Sequence, residues 1–302
     1  MTDFHCGFVA VIGRPNVGKS TLINTLLGQK VAAVSPRPQT TRRSQLGILT
    51  TDSAQVIFVD TPGLHIPRHK LGKVLNQTAE EALKEVDSIL WLVDASTDPT
   101  DEDRMIASLL SSLAVRTPLV LALNKADLVQ AQALEARLRL YQALVSREVL
   151  ALCISATTGS GLDSLLSALI ERLPVRPAEF PEEQITDLYE REIAADLIRE
   201  ACLLHLRDEV PHCIAVRIDQ FSERENGNAY IAATLFVERE SQKGIVIGQG
   251  GMMLKKIGST ARQEIEAMSG RKVFLALRVK VLEGWRNKEE LLKRFGYRLK
   301  RT

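Results

Sequence analysis

The chain has 302 residues, 45% of them hydrophobic and 25% charged, with a formal net charge of +2. That length gives room for two domains of ordinary size or one large one, and the composition is that of soluble globular proteins, so each half can bury a core. No apolar run approaches the roughly 20 residues that cross a bilayer, and the start, Met1 to His5, has neither the basic region nor the long apolar region of a signal peptide.

The charge is unevenly spread. Residues 1–175 hold 17 Lys and Arg against 17 Asp and Glu, residues 176–240 hold 7 against 15, and residues 241–302 hold 15 against 5. A basic terminal stretch suits an anionic partner, nucleic acid or lipid headgroups. The alternative is that the acidic and basic stretches neutralise each other across one folded domain. The four cysteines, Cys6, Cys153, Cys202 and Cys213, have no metal-ligand spacing and are expected to be reduced, mostly buried thiols.

Residues 7–175 alternate apolar runs with helical stretches. The runs 7–12, 55–59, 88–93, 119–123 and 150–154 read as strands, with helices such as 72–86 and 101–112 between most of them. Continuous apolar runs suit a sheet covered on both faces, so a doubly wound, mostly parallel α/β domain is expected. Trp91 reads as a core residue of one such strand. The stretch Leu173 to Pro181 then holds Pro174, Pro177 and Pro181 and reads as a stiff linker. Thr186 and Asp187 offer caps for a helix running to about Leu206. Strands at 213–218 and 229–237 follow, joined by a turn at Asn226-Gly227-Asn228. A glycine-rich loop at 248–251, helical stretches to about 269, a strand at 272–281 and a helical tail from about 287 complete the chain. The expected division is a first domain at 1–173, a linker at 174–185 and a smaller α+β domain at 186–302.

The chemistry starts at Gly13-Arg14-Pro15-Asn16-Val17-Gly18-Lys19-Ser20, a G-x-x-x-x-G-K-[ST] loop that follows a predicted strand and opens a helix. Backbone N–H groups turn toward phosphate oxygens, Lys19 reaches the β- and γ-phosphates, Ser20 ligates Mg²⁺, and the helix N-terminus adds its positive end. Asn124-Lys125-Ala126-Asp127, directly after the run 119–123, selects the base. A carboxylate there accepts from N1–H and the N2 amine of guanine, whereas adenine would leave a buried charge unpaired. Ser155 and Ala156 follow beyond the next strand, and the backbone at Ala156 would close over the guanine O6. Asp60-Thr61-Pro62-Gly63 follows the strand 55–59: Asp60 would hold Mg²⁺ through a water and the Gly63 N–H would sense the γ-phosphate. In Gln39-Thr40-Thr41-Arg42, Thr41 is expected to complete the Mg²⁺ shell when GTP is bound, with Thr40 the alternative.

These five elements, in this order and spacing, resemble the GTPases of the translation-factor-related class. Gly-Arg-Pro-Asn in the phosphate loop, Thr-Thr-Arg in switch I (Gln39, Thr40, Thr41, Arg42) and Asp-Thr-Pro-Gly-Leu in switch II (Asp60, Thr61, Pro62, Gly63, Leu64) resemble the TrmE-Era-Der branch. Leu64 stands where many small GTPases carry the glutamine that orients the attacking water, so intrinsic hydrolysis is expected to be slow. The resemblance supplies another device: in related GTPases an asparagine at the position of Asn16 helps bind a potassium ion, which stabilises developing charge as an arginine finger does.

In the second half, the segment Ile247-Gly248-Gln249-Gly250-Gly251 holds a G-x-x-G loop. In KH domains such a loop clamps the backbone of a few single-stranded nucleotides while bases lie in an apolar groove beside it. The order helix-strand-strand-helix-helix-strand resembles the type II KH topology, and Lys243, Lys255, Lys256, Arg262, Arg271 and Lys272 surround the loop. Its middle residues, Gln249 and Gly250, are uncharged, so phosphate attraction falls to backbone N–H groups and flanking lysines, chiefly Lys255 and Lys256. Trp285 is expected to anchor the terminal helix rather than stack on a base, and His65 and His69 to be surface histidines.

A GTPase domain, a short proline-rich linker and a C-terminal KH domain resemble the Era-type members of that branch over nearly the whole chain. The resemblance implies a monomeric GTPase that binds GTP and GDP and the 16S-type rRNA of the 30S subunit near its 3′ end. It also implies a role in small-subunit maturation, and a cytoplasmic location with peripheral association at the inner membrane. Two other readings stay open. One is a membrane-associated signalling GTPase whose basic C-terminus meets acidic lipids. The other is an RNA-binding assembly factor whose nucleotide is not turned over.

Overall fold

The computed structural model describes residues 3–35, 40–67, 69–113, 117–146, 149–224 and 227–297. Gln39 of the expected switch I and Asn226 of the expected turn lie outside the described residues. The chain forms two compact units. The first comprises Met1–Lys30, Thr41–Ile66 and Leu75–Asp187; the second comprises Val31–Thr40, Pro67–Val74 and Leu188–Thr302.

The first unit is built on a six-stranded sheet. Its strands are β1 (His5–Ile12), β2 (Gln45–Thr50), β3 (Ala54–Asp60), β4 (Ser88–Asp94), β5 (Leu119–Asn124) and β6 (Leu150–Cys153). The order across the sheet is β2-β3-β1-β4-β5-β6, and every pairing is parallel except β2 with β3. Five of these strands were legible as apolar runs because helices cover both their faces. The helices are α1 (Lys19–Leu27), α2 (Lys70–Ala82, of which the part from Leu75 belongs to this unit), α3 (Asp101–Ser112), α4 (Ala131–Gln142) and α5 (Leu162–Ile170). Along β1 the side chains alternate: Ala10 and Ile12 join the core that includes Trp91, Ile106, Leu121 and Tyr141, while Val9 and Val11 are buried on the opposite face. Trp91 is fully buried and meets Tyr141 edge-on at 6.1 Å.

Two local expectations are corrected. The segment after Thr41 carries β2, an antiparallel edge strand. It has polar ends and an internal Gly47, so no apolar run announces it. Thr186 and Asp187 do not cap a helix. The Asp187 carboxylate accepts from the Leu46 N–H at 2.8 Å and the Ile185 carbonyl accepts from Ile48 N–H at 2.9 Å, so this segment covers the free edge of β2. The proline-rich stretch before it is likewise held to the first unit: Cys6 N–H donates to Pro174 O at 3.1 Å, and Gln55 binds the backbone of Glu179 and Phe180.

The second unit contains α6 (Glu190–His205), β7 (Ala215–Glu223), β8 (Ala229–Val237), α7 (Glu240–Ile247), α8 (Met252–Ser269), β9 (Val273–Val281) and α9 (Glu289–Arg294). The sheet order is β7-β8-β9, antiparallel then parallel. A parallel β8–β9 pair requires a crossover, which α7 and α8 supply. Ile193, Leu197, Ile231, Leu235, Val246, Ile257 and Ile265 form one core between the sheet and the helices. After the glycine loop there is one helix of 18 residues, with Gly258 inside it. Trp285 is fully buried, donates from Nε1 to Cys213 O at 2.8 Å and meets Phe295 at 5.2 Å, which makes it the anchor of α9 and removes it from any base-stacking role.

Candidate functional site

Parallel strands of an open α/β sheet direct their C-terminal ends to one edge, where ligands bind. Here β1, β3, β4 and β5 deliver four loops to that edge. Between β1 and α1, Lys19 is buried and donates from Nζ to Gly13 O at 3.0 Å and Arg14 O at 3.1 Å. Burial lowers its pKa to about 8, against the opposing pull of the Asp60 charge. Loop carbonyls thus hold an ammonium ready for an anion. Asn16 forms the exposed corner of the loop, in a left-handed conformation with φ 65°.

Three oxygens converge beside Lys19. Ser20 Oγ lies 2.9 Å from Thr41 Oγ1 and 3.0 Å from Asp60 Oδ2, and Thr41 Oγ1 lies 3.0 Å from the same carboxylate oxygen. Gln45 of β2 donates to that oxygen at 3.4 Å. A carboxylate and two hydroxyls form a hard oxygen donor set, which suits Mg²⁺ and not a soft metal. Thr61 is buried, its hydroxyl donating to Val11 O at 2.8 Å, and Leu64 N–H donates to Gly13 O at 3.3 Å. The Leu64 side chain is 2% exposed and belongs to the core, so it presents nothing to a nucleophilic water. His65 is also buried, contrary to expectation. Its Nδ1 is 2.9 Å from Gly63 O, and the Asn76 amide binds its backbone on both sides, at 3.3 Å and 2.7 Å; His69 is exposed.

On the opposite side, Asn124 is buried at the end of β5. It donates to Val17 O at 2.8 Å and accepts from Ala156 N–H at 2.9 Å. Ser155 Oγ accepts from Thr158 N–H at 3.1 Å, fixing the turn that follows β6. Asp127 is exposed in a short 3₁₀ turn, Ala126–Leu128, that is tied to Ile154 O through Ala126 N–H. Lys125 has φ 64° and its Nζ lies 2.6 Å from Asp94 Oδ2. The Arg14 guanidinium lies 3.6 Å from the same carboxylate and donates to Thr97 Oγ1 at 2.9 Å. Lys125 and Ser96 hold the Asp94 carboxyl below its usual range despite the opposing effect of burial. Asp94 is the residue the sequence reading missed; its position at the C-terminal end of an apolar run was the available signal.

The second unit carries a separate candidate site. Gly248, with φ 73° and ψ 172°, breaks the chain between α7 and α8, and a side chain there would meet Met253 Cβ at 2.7 Å. Gln249 and Gly250 are exposed at the tip, and Ile247 is half-buried behind it. Between α8 and β9 runs a groove of about 470 Å³ whose lining includes Gly251, Leu254, Lys255, Arg262, Leu275 and Leu277. The floor is apolar and the rim is cationic, which suits bases below and phosphates above. Lys256 is exposed on α8 but outside this lining. Of the other flanking cations, Arg271 pairs with Glu190 and Glu223, Lys272 with Glu266, and Lys243 with Glu240. Among the described residues, no group of three or more His, Cys, Asp or Glu side chains could hold a metal, and no helix is long and apolar enough to cross a membrane.

Known proteins match both halves. A family model described as 50S ribosome-binding GTPase matches residues 8–125, and a KH domain model matches residues 209–286. GTPase Era of Ruminiclostridium cellulolyticum is 47% identical over 296 residues, covering 98% of each chain. GTPase Era of Lacticaseibacillus paracasei is 46% identical over 301 residues, covering 99% of each. Among solved structures, Era in complex with MgGDPNP and nucleotides 1506–1542 of 16S ribosomal RNA is 37% identical, with a TM-score of 0.91 over 98% of this chain and 100% of that one. A variant of Aquifex aeolicus Era bound to GDP and tetrafluoroaluminate is also 37% identical, with a TM-score of 0.92 over the same shares. The loops at 13–20 and 124–127 and the groove between α8 and β9 therefore lie in a chain that is related end to end to these proteins, and it belongs to the Era family of GTPases.

Proposed function

We propose that this chain is a GTP-hydrolysing switch that binds 16S-type rRNA near its 3′ end through the groove between α8 and β9, and so assists maturation of the 30S subunit. One observation carries the reading: a single chain joins a full set of guanine-nucleotide elements to a type II KH unit with an open, cation-rimmed groove. The co-crystallised relative with MgGDPNP and 16S rRNA supports it. The functional division is the one the motifs suggest, with the GTPase domain at 1–173, a linker at 174–185 and the RNA-binding domain at 186–302.

In this reading residues 13–20 hold the phosphates, and Asp127, Asn124, Lys125, Ser155 and Ala156 form the base site. Ser20, Thr41 and Asp60 hold Mg²⁺, whose charge stabilises the β- and γ-phosphate oxygens when it is bound. Switch I (39–42) and switch II (60–64) respond to the γ-phosphate. Gly248 to Gly251 clamp RNA phosphates with Lys255, while Ile247 and Lys256 flank the clamp. Because Leu64 is a core side chain, the charge of the transition state needs another partner. The exposed amide of Asn16 suits an oxygen ligand for K⁺, and equal hydrolysis rates in matched potassium and sodium buffers would remove that role. The protein works as a cytoplasmic monomer. The basic stretch 241–302 supports peripheral contact with anionic lipid at the inner membrane, and failure to float with anionic vesicles at low salt would discard it.

Binding of a 16S 3′-end oligonucleotide to the full chain, followed by fluorescence anisotropy, tests the main reading. Affinity should be lost in Gly251→Asp while GDP binding is retained. Unchanged RNA affinity in that variant would refute the groove as the RNA site. Single-turnover GTP hydrolysis with and without small subunits separates a working GTPase from a factor whose nucleotide is only structural.

A further inference from the structure

The sheet of the second unit has two faces: the core covers one, and on the other Phe236 is buried against Phe295 at one end while Phe274 stays exposed at the other. Along β8, Ile231, Ala233, Leu235 and Val237 point into the core. Their neighbours Tyr230, Ala232, Thr234 and Phe236 lie on the opposite face, where they pair in register with Phe274, Ala276, Arg278 and Lys280 of β9.

That face is graded along the strands. At one end Tyr230 and Phe274 stack with ring centroids 5.7 Å apart and planes 14° apart, and Phe274 is 59% exposed. The Arg224 guanidinium lies over both rings, 5.3 Å from the first centroid and 5.6 Å from the second. Next, Ala232 opposite Ala276 makes a flat floor. At the other end Arg217 and Arg278 both pair with Asp219, at 2.7 Å and 3.1 Å, and Arg278 donates to Thr234 Oγ1 at 2.7 Å. Two guanidinium groups share one carboxylate, so the cluster stays net positive, and exposed Lys280 extends it.

An aromatic cross-strand pair alone is ordinary sheet packing. Here it is combined with an exposed Phe274 ring, a guanidinium lying over both rings, and a cationic row along β9. Phe274 also belongs to the lining of the α8–β9 groove, so groove and face meet along β9. We propose that the open face of the β7-β8-β9 sheet is a second single-stranded RNA platform, receiving the nucleotides that leave the groove across the edge of β9. Bases stack on Phe274 and Tyr230, as they do on open sheets with exposed aromatics, and phosphates meet Arg278 and Lys280. The inference rests on the RNA-binding reading of the groove.

The test uses the full chain and two single-stranded segments from the 16S 3′ end. One has about five nucleotides, enough for a KH groove alone, and the other has about ten. Tyr230→Ala and Arg278→Ala should bind the short RNA as the unaltered protein does and the long RNA about tenfold more weakly. Gly251→Asp should lose both. Tyr230 and Arg278 lie outside the groove lining and far in sequence from the nucleotide motifs, so the GTPase rate should not change in these variants. No length-dependent loss, or an equal loss on both RNAs, would overturn the platform while leaving the groove intact. Loss of binding to 30S subunits with naked long RNA unaffected would mark the face as a protein contact and would also overturn it. If the unaltered chain bound neither RNA, both readings would fall.

Discussion

The Asn124 side chain donates to the Val17 carbonyl across 2.8 Å, and its own oxygen takes the Ala156 N–H at 2.9 Å. Its amide is thus spent on joining the loop at 13–20 to the loop after β6, which in the proposed base site leaves base recognition to Asp127, three residues on and exposed. The two residues share one motif but would do different work.

They should be separable by substitution. Asn124→Ala should weaken GDP and IDP binding equally, on the order of tenfold to a hundredfold, because two buried hydrogen bonds are lost. Asp127→Ala should weaken GDP far more than IDP, which lacks the N2 amine, so the preference for GDP should collapse. Competition binding with the two nucleotides measures both. An equal loss in Asp127→Ala would assign base selection elsewhere.

Lys19 gives a pH dependence with a defined sign. In the free protein, burial lowers its pKa from 10.5 to about 8. Bound phosphate favours the ammonium, so nucleotide binding takes up a proton in the window between those values, and GDP affinity falls as pH rises through about 8. The stability of the free protein moves the other way. The cost of burying the ammonium is present in full below about pH 8 and is relieved as pH rises above it. Calorimetry near pH 9 in buffers of different ionisation enthalpy reads the proton uptake directly; Lys19→Met should abolish it.

Trp285 should act on stability and not on RNA. Trp285→Phe removes the bond to Cys213 O and some core volume, so unfolding free energy should fall by about 2–3 kcal/mol. RNA affinity should stay within about twofold. A large loss of RNA affinity at unchanged stability would restore the stacking role that its burial argues against.

The glycine loop should respond unevenly. At Gly251 a side chain meets nothing within 4 Å, but its φ of 80° strains any other residue, so Gly251→Asp should fold with a modestly lowered thermal midpoint and place a carboxylate in the proposed phosphate clamp. At Gly248 the side chain would strike Met253, so Gly248→Asp should lower the thermal midpoint as well as RNA affinity. Thermal melting of the two variants distinguishes these outcomes.

How much of this was legible depended on how each feature is encoded. Buried parallel strands and the phosphate loop are written in contiguous residues, and they lie where the apolar runs and glycine spacing put them. The strand β2 was not legible because an edge strand with one covered face needs only Leu46 and Ile48 to be apolar. Asp187 looked like a helix cap because the residue type serves equally for capping an edge strand, and only the Leu46 N–H partner decides between them. His65 was expected on the surface as part of the second-switch region, but Asn76, eleven positions later, returns to hold its backbone. Asp94 was overlooked for the same reason: its importance comes from Lys125 and Arg14, which are near in space and distant in sequence.

The proposed function is a switch that binds RNA at the glycine loop, and a switch should bind RNA differently in its two nucleotide states. The measurement that tests it most directly is the affinity of the full chain for the 16S 3′-end RNA, with GDP and with a non-hydrolysable GTP analogue, alongside Gly251→Asp. Binding that is tighter with the analogue and lost in Gly251→Asp is the expected result. RNA affinity that ignores both the nucleotide and the glycine loop would contradict it.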